Sequence, residues 1–390
     1  PAGFKENTSR LSEVATEVPV HIFWENIIVK QNPSIYKFLF NIVNPNPVTT
    51  EVTSIVLEPN SQQEINFEAF GIDGSNYATI EFSSLPPMNF ESRLDYLIRY
   101  PHGCVEQTTS AAFPQLFLDD VFTLSSERKQ KIQRNIEGAI QRLKRFMQPD
   151  GGLSYWPGYS NTNDWGTSYA GHFLLEANKK GYVLPIGFKS SWITYQQQAA
   201  KRWRSGGDDL AQAYRLYTLA LAGSPDLASM NRLRETRDLS NDAKLRLASA
   251  YGLAGQKSAA DKLLATANID FVPRKYSYYT YGSVTRNRAM ALETLVLLDE
   301  KVKAQQVAKD IANDLSSKNW YSTQTTSYAL IAMAKFAEYV GGKGVNVSYI
   351  LNGKSRCQVS GKQHRRHHLN RVESAVFVRT FRQWRRGWCR

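Results

Sequence analysis

The spacing of apolar positions changes twice along the chain. Up to about residue 88 they come in short β-branched and aromatic runs, VPVHIFWENIIVK and IYKFLFNIV, separated by the turn-forming NPNP and EPNSQ. ATIEFSS then alternates, with Ala78, Ile80 and Phe82 on one face and Thr79, Glu81 and Ser83 on the other, which predicts a half-buried strand. Pro86 and Pro87 end it. From about residue 90 the spacing becomes helical. SSERKQKIQRNIEGAIQRLKRFM predicts a helix over 125–147, with Ile132, Ile136, Ile140, Leu143 and Met147 on one face. DLAQAYRLYTLALAG aligns Leu210, Ala213, Tyr214, Tyr217 and Leu221 likewise, and NDAKLRLASAYGLAG follows with the same LAG ending. At three to four turns each, the segment 90–340 holds roughly ten to twelve helices. After residue 342 the period returns to two, and VNVSYIL puts Val345, Val347 and Tyr349 on one face.

Helices in series with no strands between them predict stacked helical pairs. An open solenoid and a closed α/α toroid both fit; the Ala- and Ser-rich faces favour close helix contact and so the toroid. β segments before and after the helices suggest a mainly α chain whose helical domain is inserted into a β-sandwich. The expected division is 1–88 for β-sandwich segments, 89–342 for the helical domain, 343–356 for a returning strand and 357–390 for a basic tail outside the fold.

Bulk properties narrow this picture. The 390 residues suffice for two or three domains with at least one sizeable core. No stretch approaches the roughly 18 apolar residues of a membrane-spanning helix. The start, PAGFKENTSR, has neither an initiator Met nor a signal-peptide pattern, so a piece of a longer protein is expected. The net charge of +13 resembles a nucleic-acid signal, but 357–390 holds 9 Lys and Arg against one acid, Glu373. Subtracting it leaves 39 basic and 34 acidic residues, a body balance of +5, and no nucleic-acid partner is expected. No His, Cys and Asp set in the body has zinc-site spacing, and there is no Gly-rich phosphate loop, so no metal or cofactor is expected.

Of three cysteines, Cys357 and Cys389 lie in the tail, leaving Cys104 alone in the body. It stands in YPHGCVEQTTS, three residues before Gln107, and on a turn entering a helix residues so spaced lie side by side. Gly103 removes a side chain beside the thiol, and Pro101 fixes φ upstream. A thiol held against a carboxamide can displace ammonia and close an internal thioester, an acyl group stored for attack by nucleophiles. Cys-x-x-Gln alone is weak; the longer P-x-G-C-x-E-Q is specific.

Pro101, Gly103, Cys104, Glu106 and Gln107 match the thioester motif of the α2-macroglobulin and complement family, and LPP, RLDYLI, YP and TTS around it resemble the bacterial branch. The resemblance covers about residues 75–355. It implies an α/α-toroid thioester domain inserted into a β CUB domain. It implies a broad-spectrum protease trap in place of a turnover enzyme: once a bait segment is cut, a lysine of the target protease attacks the Gln107 acyl carbon and Cys104 leaves. Glu106 matches the motif without a chemical role that the sequence assigns; a carboxylate near a helix N-terminus is the plain alternative. His102 stands where relatives carry an aromatic residue. In GGLSYWPG, Gly151 and Gly152 permit a tight turn, and Tyr155 and Trp156 are expected either to line the thioester side of the toroid or to pack between helices. The body histidine after the motif, His172, lies mid-helix and short of the position at which some complement relatives redirect the acyl group to hydroxyls, so amines are the expected nucleophiles. Bacterial relatives are typically periplasmic lipoproteins, which implies a periplasmic or cell-envelope location and allows a lipid anchor on the parent. Two other classes fit a helical toroid: an enzyme of the terpene cyclase or prenyltransferase kind, although DxDD is absent, and a helical scaffold for protein binding.

Overall fold

The structure is a computed structural model. It describes residues 62–66, 77–83, 100–121, 124–270, 280–317, 319, 321–340, 345–351, 355–361, 364–370 and 375–380. All of these fall in one compact unit, Leu57–Arg390. The β runs read before residue 60 and the amphipathic NFESRLDYLI lie outside the described residues.

Among the described residues, two strands, β1 (Gln62–Asn66) and β2 (Tyr77–Ser83), precede the helices. The helical series is α1 (Val105–Ala112), a 3-10 turn (Phe113–Phe117), α2 (Leu118–Val121), α3 (Ser126–Lys144), α4 (Asp164–Lys179), α5 (Phe188–Arg202) and α6 (Asp209–Leu221). It continues with α7 (Leu227–Arg234), α8 (Asn241–Leu253), α9 (Lys257–Thr266), α10 (Val284–Leu297), α11 (Lys301–Ser316) and α12 (Thr323–Val340). Four strands follow: β3 (Val345–Leu351), β4 (Ser355–Gly361), β5 (His364–Asn370) and β6 (Ala375–Thr380). Helix starts are set by short polar side chains. Ser125, Asn163, Asp208, Ser240 and Ser283 each accept a first-turn N–H of the helix that follows, satisfying donors the helix cannot satisfy itself.

The helices form two concentric layers. Contacts run α1–α4–α6–α8–α10–α12 and return from α12 to α1, while α3, α5, α7, α9 and α11 pack against the outside of neighbouring members of that ring. This closure makes the fold an α/α toroid and removes the open solenoid. The two layers differ in composition as their places demand. Inner helices are apolar or small-residue nearly all round: Trp165 through Ala177 are buried on α4, and Gln324 through Ala334 on α12. Outer helices bury one stripe, as α3 does with Ile132, Ile136, Ala139, Ile140 and Leu143. The predicted 125–147 helix is shorter at its end. It stops at Lys144, and Met147, only partly buried, instead bridges to Leu153 across the turn that follows. Leu221, the last residue of α6, is likewise only partly buried.

Strands from both sides of the helical series pair with one another. β1 pairs antiparallel with β6 in the sheet β1-β6-β3-β4, and β2 with β5 in a two-stranded sheet. The helical series thus lies, in chain order, between strands that pair with one another. The sequence pattern ends the native fold at Cys357, but β4 runs through that residue from Ser355 to Gly361, and β5 and β6 fall within the stretch read as a tail.

Candidate functional site

The segment around Cys104 enters α1, the first helix of the inner ring. Cys104 is its N-cap, with extended backbone, and is 1% exposed. Its Sγ accepts the Gln107 backbone N–H at 3.5 Å, and Gln107 Oε1 accepts the Cys104 N–H at 3.3 Å. This is a reciprocal capping box with sulfur in the usual hydroxyl position. The structure therefore brings Cys104 and Gln107 together as their spacing predicts. Cys104 is buried and Gln107 is exposed.

Gly103 is required twice. Its φ of +92° lies in the left-handed region that side chains disfavour. A methyl group there would also lie 2.1 Å from Gln107 Oε1 and 3.0 Å from its Cδ, so the carboxamide rests on the bare Cα. The Gly103 carbonyl accepts Arg142 Nη2 at 2.7 Å, and Arg142 Nε reaches Thr108 Oγ1 at 3.2 Å. Outer helix α3 thereby fixes the turn. Nothing in the sequence pattern marks Arg142 beyond its place on the polar side of α3.

The GGLSYWPG loop reaches the same helix end. Gly151 turns the chain with φ +93°, where a Cβ would strike the Ser191 carbonyl at 2.2 Å. The Tyr155 carbonyl accepts the Val105 N–H at 3.1 Å, satisfying another first-turn donor. Burial, then the neighbouring Cys104 and Tyr281 side chains, push the pKa of the Tyr155 phenol far above the ordinary value. Tyr281, which sequence reasoning missed, has φ +50°, a left-handed conformation uncommon for an aromatic residue. Trp156 is 40% exposed and packs edge-on against the Tyr155 ring at 5.8 Å. His102 is exposed.

Glu106 points the other way, into the ring. It is 6% exposed and accepts Ser110 Oγ at 2.7 Å and Thr323 Oγ1 of α12 at 3.1 Å. Ser110 continues to Tyr169 at 3.1 Å, and Tyr169 donates to Ser327 at 3.1 Å. Burial raises the Glu106 pKa, partly opposed by the two hydroxyls. His172 is fully buried, with Nδ1 3.0 Å from the Tyr214 hydroxyl; burial lowers its pKa. It is a packing residue of α4, far from solvent.

Residues 79–213 match the family model of the A-macroglobulin TED domain. That match spans the start of the closed helical ring and includes the Cys104–Gln107 capping box at the start of its first inner helix. Over 353 residues the chain is 24% identical to the alpha-2-macroglobulin of Escherichia coli K12, which covers 83% of this chain and 21% of that protein. The chain thus spans about a fifth of the length of that relative. The fold is that of Salmonella alpha-2-macroglobulin reacted with methylamine (TM-score 0.59, 21% identity, 82% of this chain and 24% of that one). It is shared with Escherichia coli alpha-2-macroglobulin activated by porcine elastase (TM-score 0.53, 20% identity, 83% and 33%). The chain is thus similar to bacterial alpha-2-macroglobulins, and the family-model match falls on their thioester-domain region.

Proposed function

We propose that this chain is the thioester-bearing part of a broad-spectrum endopeptidase inhibitor that holds proteases covalently, with Cys104 and Gln107 as the bond-forming pair. The observation that carries the reading is the capping box, in which the Cys104 and Gln107 side chains each bond the other's backbone N–H, with the carboxamide over a glycine. Closure joins Cys104 Sγ to Gln107 Cδ and expels ammonia, the thiol proton passing to the departing nitrogen. Opening reverses the roles: a lysine amine of the trapped protease attacks Cδ, an amide forms and the thiol is released. In both directions negative charge gathers on Oε1. The Cys104 N–H already aimed at that atom, at the positive end of α1, supports it. Each molecule reacts once, so this is acyl transfer without turnover.

Several observations favour this over a toroid enzyme. Tyr169, Tyr214 and Tyr328, from three inner helices, meet one another inside the ring, with Tyr169 stacked on Tyr328 at 5.2 Å and the Tyr328 and Tyr214 hydroxyls hydrogen-bonded. A substrate-enclosing toroid would keep that space open. The exposure of Gln107 suits attack by a large amine-bearing partner. The Escherichia coli relative is activated by an elastase and the Salmonella one reacts with methylamine, which supports proteases as partners and amines as nucleophiles. The paired strands β1–β6 and β2–β5 are assigned to a CUB-like domain that carries the toroid, and the parent to the periplasm or cell envelope, with a lipid anchor compatible with both. Neither metal nor cofactor enters the proposed chemistry.

Mass spectrometry of the peptide spanning Cys104–Gln107 tests the reading. The expected peptide is lighter by one ammonia and, after methylamine, carries methylamide at Gln107 with Cys104 free. Glu at position 107 beside a free thiol marks a thioester that closed and hydrolysed. An unmodified Gln107 that ignores methylamine removes the reading for this chain.

A further inference from the structure

We infer that Arg142, on outer helix α3, activates the acyl centre of Gln107 through the Gly103–Cys104 peptide: its cation binds the carbonyl of the peptide whose N–H is aimed at Gln107 Oε1. The inference rests on the thioester reading above and assigns a positioning role to a residue outside the Cys-Gln motif.

The groups form one line of hydrogen bonds. Arg142 Nη2 donates to the Gly103 carbonyl oxygen at 2.7 Å. On the other side of the same amide, the Cys104 N–H donates to Gln107 Oε1 at 3.3 Å. A peptide unit is conjugated, so a cation that draws electron density onto the carbonyl oxygen leaves the N–H more positive. At 3.3 Å the bond to Oε1 is long for an amide donor, and its strength depends on such help. The same contact fixes direction, because an amide turned away from Arg142 would carry its N–H away from Oε1. A basic residue in the last turn of a helix is ordinary. Lys144, in the same turn of α3, is exposed. Arg142 is half-buried, and both its described hydrogen bonds end on the first turn of another helix and the residue before it, Nε on Thr108 Oγ1 and Nη2 on Gly103. Its guanidinium carbon lies 5.7 Å from the ring centre of Phe146, itself fully buried, which gives the charge a fixed seat.

Arg142 keeps its protons throughout the step. On opening, the amine nitrogen bonds to Gln107 Cδ and the carbonyl π pair moves onto Oε1, where the polarised Cys104 N–H meets it. Return of that pair expels sulfur with the C–S electrons. The proton lost by nitrogen passes to water, and sulfur takes one back from water to end as the thiol.

The alternative is that Arg142 only ties α3 to the turn. Thiol release by methylamine, followed on the full chain with a chromogenic thiol reagent, separates the two, with the far-ultraviolet spectrum to verify folding. The amplitude reports how many molecules closed the bond, and the rate constant reports how readily it opens. Activation predicts a rate constant lowered about fivefold in Arg142→Met, and about twofold in Arg142→Lys, which keeps a cation without the planar fork. A folded Arg142→Met with a smaller amplitude and an unchanged rate constant overturns the inference and leaves the trap reading intact. If the unsubstituted chain holds no thioester, the trap reading fails for this chain, and the peptide itself then decides. Isotope labelling of glycine carbonyls and cysteine nitrogens marks one doubly labelled peptide, Gly103–Cys104, because Cys357 and Cys389 follow Arg356 and Trp388. Its magnetic resonance signal should move upfield in both the carbonyl carbon and the Cys104 amide proton in Arg142→Met. A carbonyl that moves beside an unmoved amide proton shows a tie that transmits nothing, and overturns the inference. The same signal decides for any variant in which no thioester closes.

Discussion

Glu106 on α1 and Glu293 on α10 are 6% and 5% exposed, and both face the interior of the same ring of helices. Their surroundings are opposite. Glu293 meets Arg246 Nη1 at 2.7 Å and Lys335 Nζ at 2.7 Å, and Lys335 also binds Glu176 at 2.7 Å. The described hydrogen bonds to Glu106 come from the hydroxyls of Ser110 and Thr323. The two carboxylates accordingly titrate in opposite directions. Burial pushes Glu293 upward, but Lys335 and Arg246 outweigh it and hold its pKa well below the usual range. Burial pushes Glu106 upward and hydroxyls alone do not cancel it. Burial by itself does not fix a carboxylate's state; the presence of a cation does. One region ties α4, α8, α10 and α12 together through charge. The other places an unbalanced carboxyl between the two residues of the proposed bond.

The ionic region carries the larger share of stability. Glu293→Leu takes the shared carboxylate from two cations, of which Arg246 is fully buried. The expected loss is about 3–5 kcal/mol, the range for breaking a buried pair, read from urea unfolding. A loss below about 1 kcal/mol would mean that the cluster is a neutral hydrogen-bond network. Methylamine reactivity of the folded fraction should be unchanged, because the cluster does not touch α1's N-terminus.

Gly103→Ala acts on the other region. The substitution forces a side chain into φ +92° and into the Gln107 carboxamide. A cost of about 1–3 kcal/mol is expected from the backbone alone. The chemical effect is greater: with the carboxamide displaced, methylamine should release no thiol and Gln107 should stay unmodified by mass spectrometry. A Gly103→Ala chain that still shows the ammonia-deficient peptide would break the link between the bare Cα and bond closure.

Much of this architecture was legible before any coordinates, and unevenly so. The inner and outer helices carry periodic patterns, so α3 and α6 could be placed from Ile132, Ile136, Tyr214 and Tyr217. Ring closure was only inclined towards, since the α12–α1 contact joins residues 217 positions apart, Thr323 and Glu106. At the site, Cys104 and Gln107 are local neighbours, and their meeting follows from helix geometry. Tyr155 was singled out with Trp156, but the pair divides: the Tyr155 carbonyl binds the Val105 N–H beside the motif, whereas Trp156 is exposed. Arg142, Tyr281 and Thr323 were missed because each reaches the motif only through the fold. The buried ions were invisible for the same reason. Glu176, Glu293, Arg246 and Lys335 each look like one solvated charge in an amphipathic helix.

The finest test of the contrast is its pH dependence, where the two regions have opposite signs. Glu293 and Glu176 have lowered pKa values in the folded chain. Below the ordinary carboxylate range the unfolded chain binds more protons than the folded one, so their contribution is lost as pH falls. Glu106 has a raised pKa, so between the ordinary value and the raised one the folded chain binds the extra proton. Stability contributed by this group therefore declines as pH rises through that window. Glu106→Gln keeps an oxygen that can accept Ser110 Oγ and Thr323 Oγ1 and removes the titration. It should flatten the decline on the neutral side while leaving the acid-side loss untouched, a change of at most about 1 kcal/mol. Unfolding free energies at several pH values between the acid and neutral limits, with and without the substitution, measure it. A Glu106→Gln chain that follows the parent curve throughout would mean that Glu106 is compensated as fully as Glu293, and the two regions would then differ in partner type but not in charge state.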